Sequence, residues 1–190
     1  MALVLHVLIS VSPMPLSGTG FMRPNHKVVT GAYIHIPFCR RRCFYCDFPV
    51  AILGERESTV DSATTFYTEK LIEEISATAI HYYSNIRDVG NKLETLYFGG
   101  GTPSLLSVEC LGQIVDCIDK YFGFSRDAEI TLEMDPGTFD LDKLKSLKKI
   151  GINRISLGVQ SFSDEMLQKC GRAHTAKDVS VAIENMYTTD

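Results

Sequence analysis

Cys39, Cys43 and Cys46 fall within one short run, Phe38-Cys-Arg-Arg-Arg-Cys-Phe-Tyr-Cys-Asp-Phe48, and no fourth cysteine lies close to them. Soft, closely spaced thiolates select zinc or an iron-sulfur cluster. A closed structural site of either kind uses four protein ligands, so three leave one metal corner open for a small molecule to bind and react. Zinc completed by a distant fourth thiolate stays open as an alternative, with Cys110, Cys117 and Cys170 as donors. Two of these, Cys110 and Cys117, stand seven apart beside Ile114 and Ile118 and read as core. Arg40, Arg41 and Arg42 fill the gap between the first two ligands, either as an ordinary solvated charge run or as a docking surface for an acidic partner.

Two other stretches carry chemistry. Gly99-Gly-Gly-Thr-Pro103 follows an apolar run, and glycines there let bare backbone approach a ligand. No Gly-Lys-Ser/Thr follows and the Gly-x-Gly-x-x-Gly spacing is absent, so neither a phosphate loop nor a dinucleotide fingerprint is present. Glu133 falls on the polar side of a strand, where an unpaired carboxylate would be costly and a hydrogen-bonding or cationic partner is implied.

The elements that must position these residues alternate. Strands are expected over Ala32 to Ile36, Leu93 to Phe98, Glu129 to Met134 and Arg154 to Gln160. Helices are expected near Ser62 to Ser84, Ser107 to Phe122, Asp140 to Ile150 and Asp178 to Tyr187. Repeated strand-helix units imply a parallel sheet. Period two puts Ala32, Ile34 and Ile36 opposite Tyr33 and His35, and Leu96 and Phe98 opposite Thr95 and Tyr97. It likewise sets Ile130, Leu132 and Met134 against Thr131, Glu133 and Asp135, and Ile155, Leu157 and Val159 against Ser156, Gly158 and Gln160. A sheet sandwiched between helices is apolar on both faces, whereas here one face of every strand is polar or small. The pattern predicts a partial barrel with helices outside and a polar ligand in the lumen; an open sheet with one solvated face is the alternative.

The 190 residues suit one domain, and 45% hydrophobic residues suffice for its core. Net charge is -4, yet residues 1–46 hold five Lys or Arg and no acid, so the rest is acidic. No basic stripe of the kind that tracks phosphates is present, which weighs against a nucleic acid partner. Residues 1–31 read as a separate, unstructured leader, with 32–190 as a core domain incomplete at its C-terminus. Ala2 to Val11 is too short to span a bilayer, and the acid-free leader resembles an organellar transit segment as well as an ordinary one. An intracellular location is expected, mitochondrion or plastid ahead of cytoplasm, because an oxidising compartment threatens closely spaced thiols.

The cysteine run, Tyr97-Phe-Gly-Gly-Gly-Thr-Pro103, Glu133-Met-Asp-Pro136 and Gly158-Val-Gln-Ser161 together resemble the radical S-adenosylmethionine (SAM) superfamily over roughly residues 30–180. They are most similar to its oxygen-independent coproporphyrinogen oxidase branch, and within that to HemW-type heme chaperones. The resemblance implies a partial (β/α) barrel with about four of six strand-helix units. It implies a 4Fe-4S cluster on Cys39, Cys43 and Cys46, with SAM on the open iron. It further places Tyr33 near the sulfonium, Tyr45 on adenine and the Gly100-Gly101-Thr102 backbone at the SAM ammonium. Glu133 and Gln160 fall beside the ribose and amino acid, and Arg172 reaches the SAM carboxylate; no catalytic residue is assigned. The oxidases carry a fourth cysteine where this chain has Phe48, which favours the chaperone branch: a protein that binds heme and passes it to an acceptor, with an electron donor as a further partner. A coproporphyrinogen oxidase-like enzyme is the alternative, and whether the chain is an enzyme at all stays open.

Overall fold

The computed structural model describes residues 7–12, 28–85 and 92–189. Four parallel strands form its centre: β2 (Val28–Ile36), β5 (Leu93–Gly100), β6 (Phe124–Met134) and β7 (Arg154–Leu157). A fifth, β1 (Val7–Ser12), pairs antiparallel with β2, from Val7 opposite Ile34 to Ser12 opposite Val28. Two-residue strands β3 (Phe38–Cys39) and β4 (Ala51–Ile52) pair with each other and clasp the ends of the cysteine loop. This corrects the expected leader at two places. Val28 to Gly31 belongs to β2, and Val7 to Ser12 is an edge strand; the rest of residues 1–31 lies outside the described residues. The run Val7-Leu-Ile-Ser-Val11 is rich in β-branched residues, a composition that favours strand.

Helices α1 (Glu57–Asn85), α2 (Val108–Phe122) and α3 (Leu141–Lys149) connect successive strands, and α4 (Asp164–Lys169) and α5 (Ala176–Thr189) follow β7. Local chemistry fixes their ends. The Ser107 side chain accepts the Cys110 N–H at the start of α2, and Asp140 does the same for Lys143 at the start of α3. Gly123, at φ 70, ends α2 in a conformation that favours glycine. At the start of α5, Asp178 accepts the Thr175 N–H and hydroxyl, and these bonds hold its carboxyl below the usual carboxylate range.

The predicted alternation is what the sheet uses. Ile34, Ile36, Leu96, Phe98 and Leu132 are completely buried against Leu71, Ile75, Leu111, Ile114 and Ile118 of the outer helices. Each such side chain stabilises the fold by roughly 1.5–3 kcal/mol. Cys110 and Cys117 belong to this core, as their spacing implied. Tyr33, Tyr97 and Thr131 align across β2, β5 and β6 on the opposite face, with Glu133 paired to Ser156 of β7. The last strand is shorter than expected. It ends at Leu157, after which the chain turns and Gln160 takes φ 62, the only non-glycine positive φ among the described residues. α4 was not anticipated, since six residues show too little period to read. The free edge of β7, with α3 and α5, borders an apolar cavity of about 770 Å³ lined by Ile155, Leu157, Ile183 and Met186 among others. No helix among the described residues is long and apolar enough to cross a membrane.

Candidate metal and cofactor site

In a parallel sheet the C-terminal ends of all strands lie along one rim, where such folds bind ligands. The cysteine loop leaves the end of β2, the glycine turn ends β5, Glu133 and Asp135 end β6, and Ser156 to Gln160 ends β7. These segments enclose a cavity of about 350 Å³, and every candidate residue lines it except Tyr33: the three cysteines, Tyr45, Gly100, Gly101, Thr102, Glu133, Gln160 and Arg172. The larger cavity beside β7 holds none of them. Tyr33 stands one layer below, its ring stacked on Tyr97 with centroids 5.9 Å apart and its hydroxyl 3.4 Å from His35 Nδ1. Burial, aided by the Glu133 charge, raises its phenol pKa.

The glycines are demanded first by the protein's own backbone. A Cβ on Gly101 would stand 2.6 Å from Phe38 O and 2.9 Å from Cys39 Sγ; one on Gly100, at φ 120, would meet the His35 ring at 2.8 Å. Here the Gly101 and Thr102 N–H groups donate to Ile36 O and Phe38 O at 2.8 and 2.7 Å, locking the turn to the start of the cysteine loop. The Thr102 hydroxyl reaches Cys39 Sγ at 3.5 Å. Burial raises the Cys39 thiol pKa more than that contact lowers it, so a metal's positive charge would be what draws off its proton.

Glu133 has the partners its position called for. Tyr97 donates to Oε1 at 2.6 Å and the Gly100 N–H to Oε2 at 3.2 Å, leaving further lone pairs for a ligand's hydroxyl or ammonium. Burial, then the bond to Glu133, raises the Tyr97 pKa and keeps it a donor.

Arg172 has its terminal nitrogens engaged within the protein: Nη2 donates to Asp135 Oδ1 at 2.5 Å and Gly158 O at 2.9 Å. Nη1 lies 3.4 Å from both Cys43 Sγ and the Tyr45 hydroxyl. The guanidinium thus ties the cysteine loop to the ends of β6 and β7. Burial alone would lower its pKa; the Asp135 carboxylate outweighs that and the net shift is upward. Nε is buried without a partner among the described residues, so one donor remains for an anionic ligand group. Asp135 and Gly158 were legible as motif members and by strand parity, but not as partners of Arg172. A Cβ on Gly158 would fall 2.5 Å from Asp135 Oδ1, so glycine there makes room for the ion pair.

Among the described residues no three His, Cys, Asp or Glu side chains converge tightly enough for a single metal ion. Three thiolates around a 350 Å³ space suit a larger, polynuclear group. Cys110 and Cys117 are buried in the core, away from this rim, which removes them as a fourth zinc donor.

An α/β half-barrel with three cysteines, a glycine turn and hydrogen-bonded carboxylates gathered at its strand ends is the architecture of the class the chain falls into. The chain belongs to the radical SAM superfamily, whose family model matches residues 33–188. It is 48% identical over 159 residues to a heme chaperone HemW of Synechocystis, covering 84% of this chain and 37% of that protein. It is 34% identical over 147 residues to the mitochondrial radical S-adenosyl methionine domain-containing protein 1 of Bos taurus, covering 77% and 30%. The structure superposes on the coproporphyrinogen III oxidase HemN of Escherichia coli with a TM-score of 0.71 and 28% identity, over 84% of this chain and 34% of the other. The chain thus spans between 30% and 37% of the length of these two curated relatives. Family membership implies SAM and a 4Fe-4S cluster, and the donor set, the cradle and the unpaired Arg172 nitrogen fit them.

Proposed function

We propose that the chain carries a 4Fe-4S cluster on Cys39, Cys43 and Cys46 with SAM beside it, and serves a heme chaperone that binds heme and passes it to an acceptor protein. The carrying observation is the convergence of ten candidate residues, from all four parallel strand ends and beyond, on one cavity. The 48% identity to a heme chaperone supports the chaperone reading over an oxidase, as does Phe48 in place of a fourth cysteine.

When bound, the cluster supplies a low-potential electron and SAM a sulfonium able to accept it. The protein's part is positional. The glycine turn lines the cavity with bare backbone; Glu133, clamped by Tyr97 and Gly100, accepts from the ligand; the Arg172 Nε–H offers a donor to a carboxylate. Tyr45 gives an aromatic face half open to solvent, suited to a nucleobase.

The test is anaerobic reconstitution followed by hemin titration, with 5'-deoxyadenosine and coproporphyrinogen decarboxylation measured in parallel. About four irons and four sulfides per chain with hemin binding and no decarboxylation are expected. The structural likeness to coproporphyrinogen III oxidase keeps the enzyme as a second reading, and decarboxylation by the cluster-loaded chain would establish it. A stoichiometric zinc and no sulfide would end both.

A further inference from the structure

His174 is 5% exposed and does not line the 350 Å³ cavity, yet its ring reaches the turn that carries Gln160. Its Nε2 stands 3.1 Å from Val159 O, and because a carbonyl oxygen only accepts, this nitrogen carries the hydrogen and donates it. Two residues earlier, in the same stretch between α4 and α5, Arg172 Nη2 donates to Gly158 O. One short segment thus holds two successive carbonyls of the chain leaving β7. Those carbonyls belong to two three-residue turns: the Val159 N–H donates to Leu157 O at 3.0 Å, and the Ser161 N–H to Val159 O at 2.8 Å. Gln160 is the central residue of the second. Its φ of 62 belongs to the classic rather than the inverse γ-turn, the rarer and more strained of the two. A residue with a side chain stays in that region only where its surroundings over-determine it. The Ser161 N–H is a local hold on Val159 O; His174 is the tertiary hold on the same oxygen.

We propose that His174 is a positioning residue for SAM: its bond to Val159 O keeps the strained Gln160 backbone in the conformation that sets Gln160 in the cavity wall. The inference rests on the SAM-binding reading of that cavity and adds to it a residue from outside the wall. Without the bond, Val159 O keeps the Ser161 N–H alone, and Gln160 relaxes for part of the time to the negative φ that a side chain prefers. A ligand that needs the strained conformer then binds more weakly in proportion to the population lost. One hydrogen bond of ordinary net strength corresponds to a loss of about 3- to 10-fold. The three cysteines lie on a different segment, between β2 and α1, so the cluster does not depend on this bond.

The experiment measures SAM affinity by equilibrium dialysis of the anaerobic, cluster-loaded full chain, with iron and sulfide counted per chain. His174→Gln keeps an amide donor of similar reach and should bind SAM within about 1.5-fold of the wild type. His174→Met, of the same length but without a donor, should lose about 3- to 10-fold at unchanged iron content. In Gln160→Gly the backbone takes a positive φ freely and presents no side chain, so adding His174→Met there should cost less than about 1.5-fold more. That non-additivity separates action through Gln160 from a general loss of structure. If His174→Met loses its iron, His174→Phe, which keeps a ring's bulk and also lacks a donor, replaces it; loss of iron in both would put the bond under the whole rim and overturn the assignment to Gln160. Equal SAM affinity in the wild type and His174→Met would overturn the inference and leave the SAM reading intact. So would His174→Gln binding as weakly as His174→Met, or a full His174→Met penalty that persists in Gln160→Gly. No SAM binding by the wild-type cluster-loaded chain would remove the SAM reading and the inference with it.

Discussion

Asp135→Asn isolates the ion pair that joins the cysteine loop to the barrel rim. The Arg172 side chain is 8% exposed and that of Asp135 29%, so removal of the negative charge takes the carboxylate partner from a largely buried guanidinium. Breaking a fully buried pair costs about 3–5 kcal/mol. Asp135 is reached by water on one side, and an asparagine oxygen still accepts the Nη2–H, which together bring the expected loss to about 2 kcal/mol. For a domain of this size that is a fall in Tm of roughly 4–8 °C. Arg172→Met in the same chain removes the orphaned charge, so the double variant should melt above Asp135→Asn alone. This non-additivity is the signature of direct coupling. The assay is thermal unfolding of the anaerobic, cluster-loaded protein, with iron counted per chain. Arg172 also approaches Cys43 Sγ, so both single variants should release iron faster to a chelator. If Asp135→Asn melts within 1 °C of the wild type and the double variant is the less stable, the guanidinium is not held by that carboxylate and the tie does not exist.

Other expectations follow from the same geometry. Gly101→Ala drives a methyl into Phe38 O and Cys39 Sγ and should abolish iron binding, whereas Gly112→Ala, whose Cβ meets only an Ile150 methyl at 3.5 Å, should retain it; iron and sulfide analysis compares them. Serine at Cys39, Cys43 or Cys46 should each eliminate the cluster, while serine at Cys110 or Cys117 should cost about 1 kcal/mol of core stability and leave four irons in place. Tyr97 has its pKa raised by burial and Glu133, so its contribution to stability is complete below the unfolded value near pH 10 and is lost as pH rises through the folded value. Tyr97→Phe should therefore flatten the alkaline fall in Tm, and an unchanged slope above pH 10 would refute the link. At neutral pH the same variant removes the donor to Glu133 Oε1 and should weaken SAM binding several-fold, measured by equilibrium dialysis of the cluster-loaded chain.

The sequence by itself singled out Cys39, Cys43 and Cys46 as a candidate ligand set, because three thiols in eight residues have few other uses, and it determined the faces of the sheet. Side chains in a strand alternate whatever the strand packs against, so Ile34, Phe98 and Leu132 could be assigned to the helix side and Tyr33, Tyr97 and Glu133 to the lumen before any contact was known. Motif order also placed Gly100, Thr102 and Gln160 at strand ends. Three things waited for the tertiary structure, each because it depends on pairing between residues far apart in the chain. The first is β1, whose apolar run is too short to be told from a leader until the edge of β2 is there to accept it. The second is the true reason for Gly101, which is forced by Phe38 and Cys39 some sixty residues earlier as much as by any ligand. The third is Arg172. The sequence shows an arginine after a motif, which by resemblance reaches a ligand carboxylate. Only the fold brings Asp135, Gly158 O and Cys43 to it, and in a half-buried site a guanidinium binds the nearest fixed acceptors first, since an unpaired charge there costs more than any ligand contact it could be reserved for.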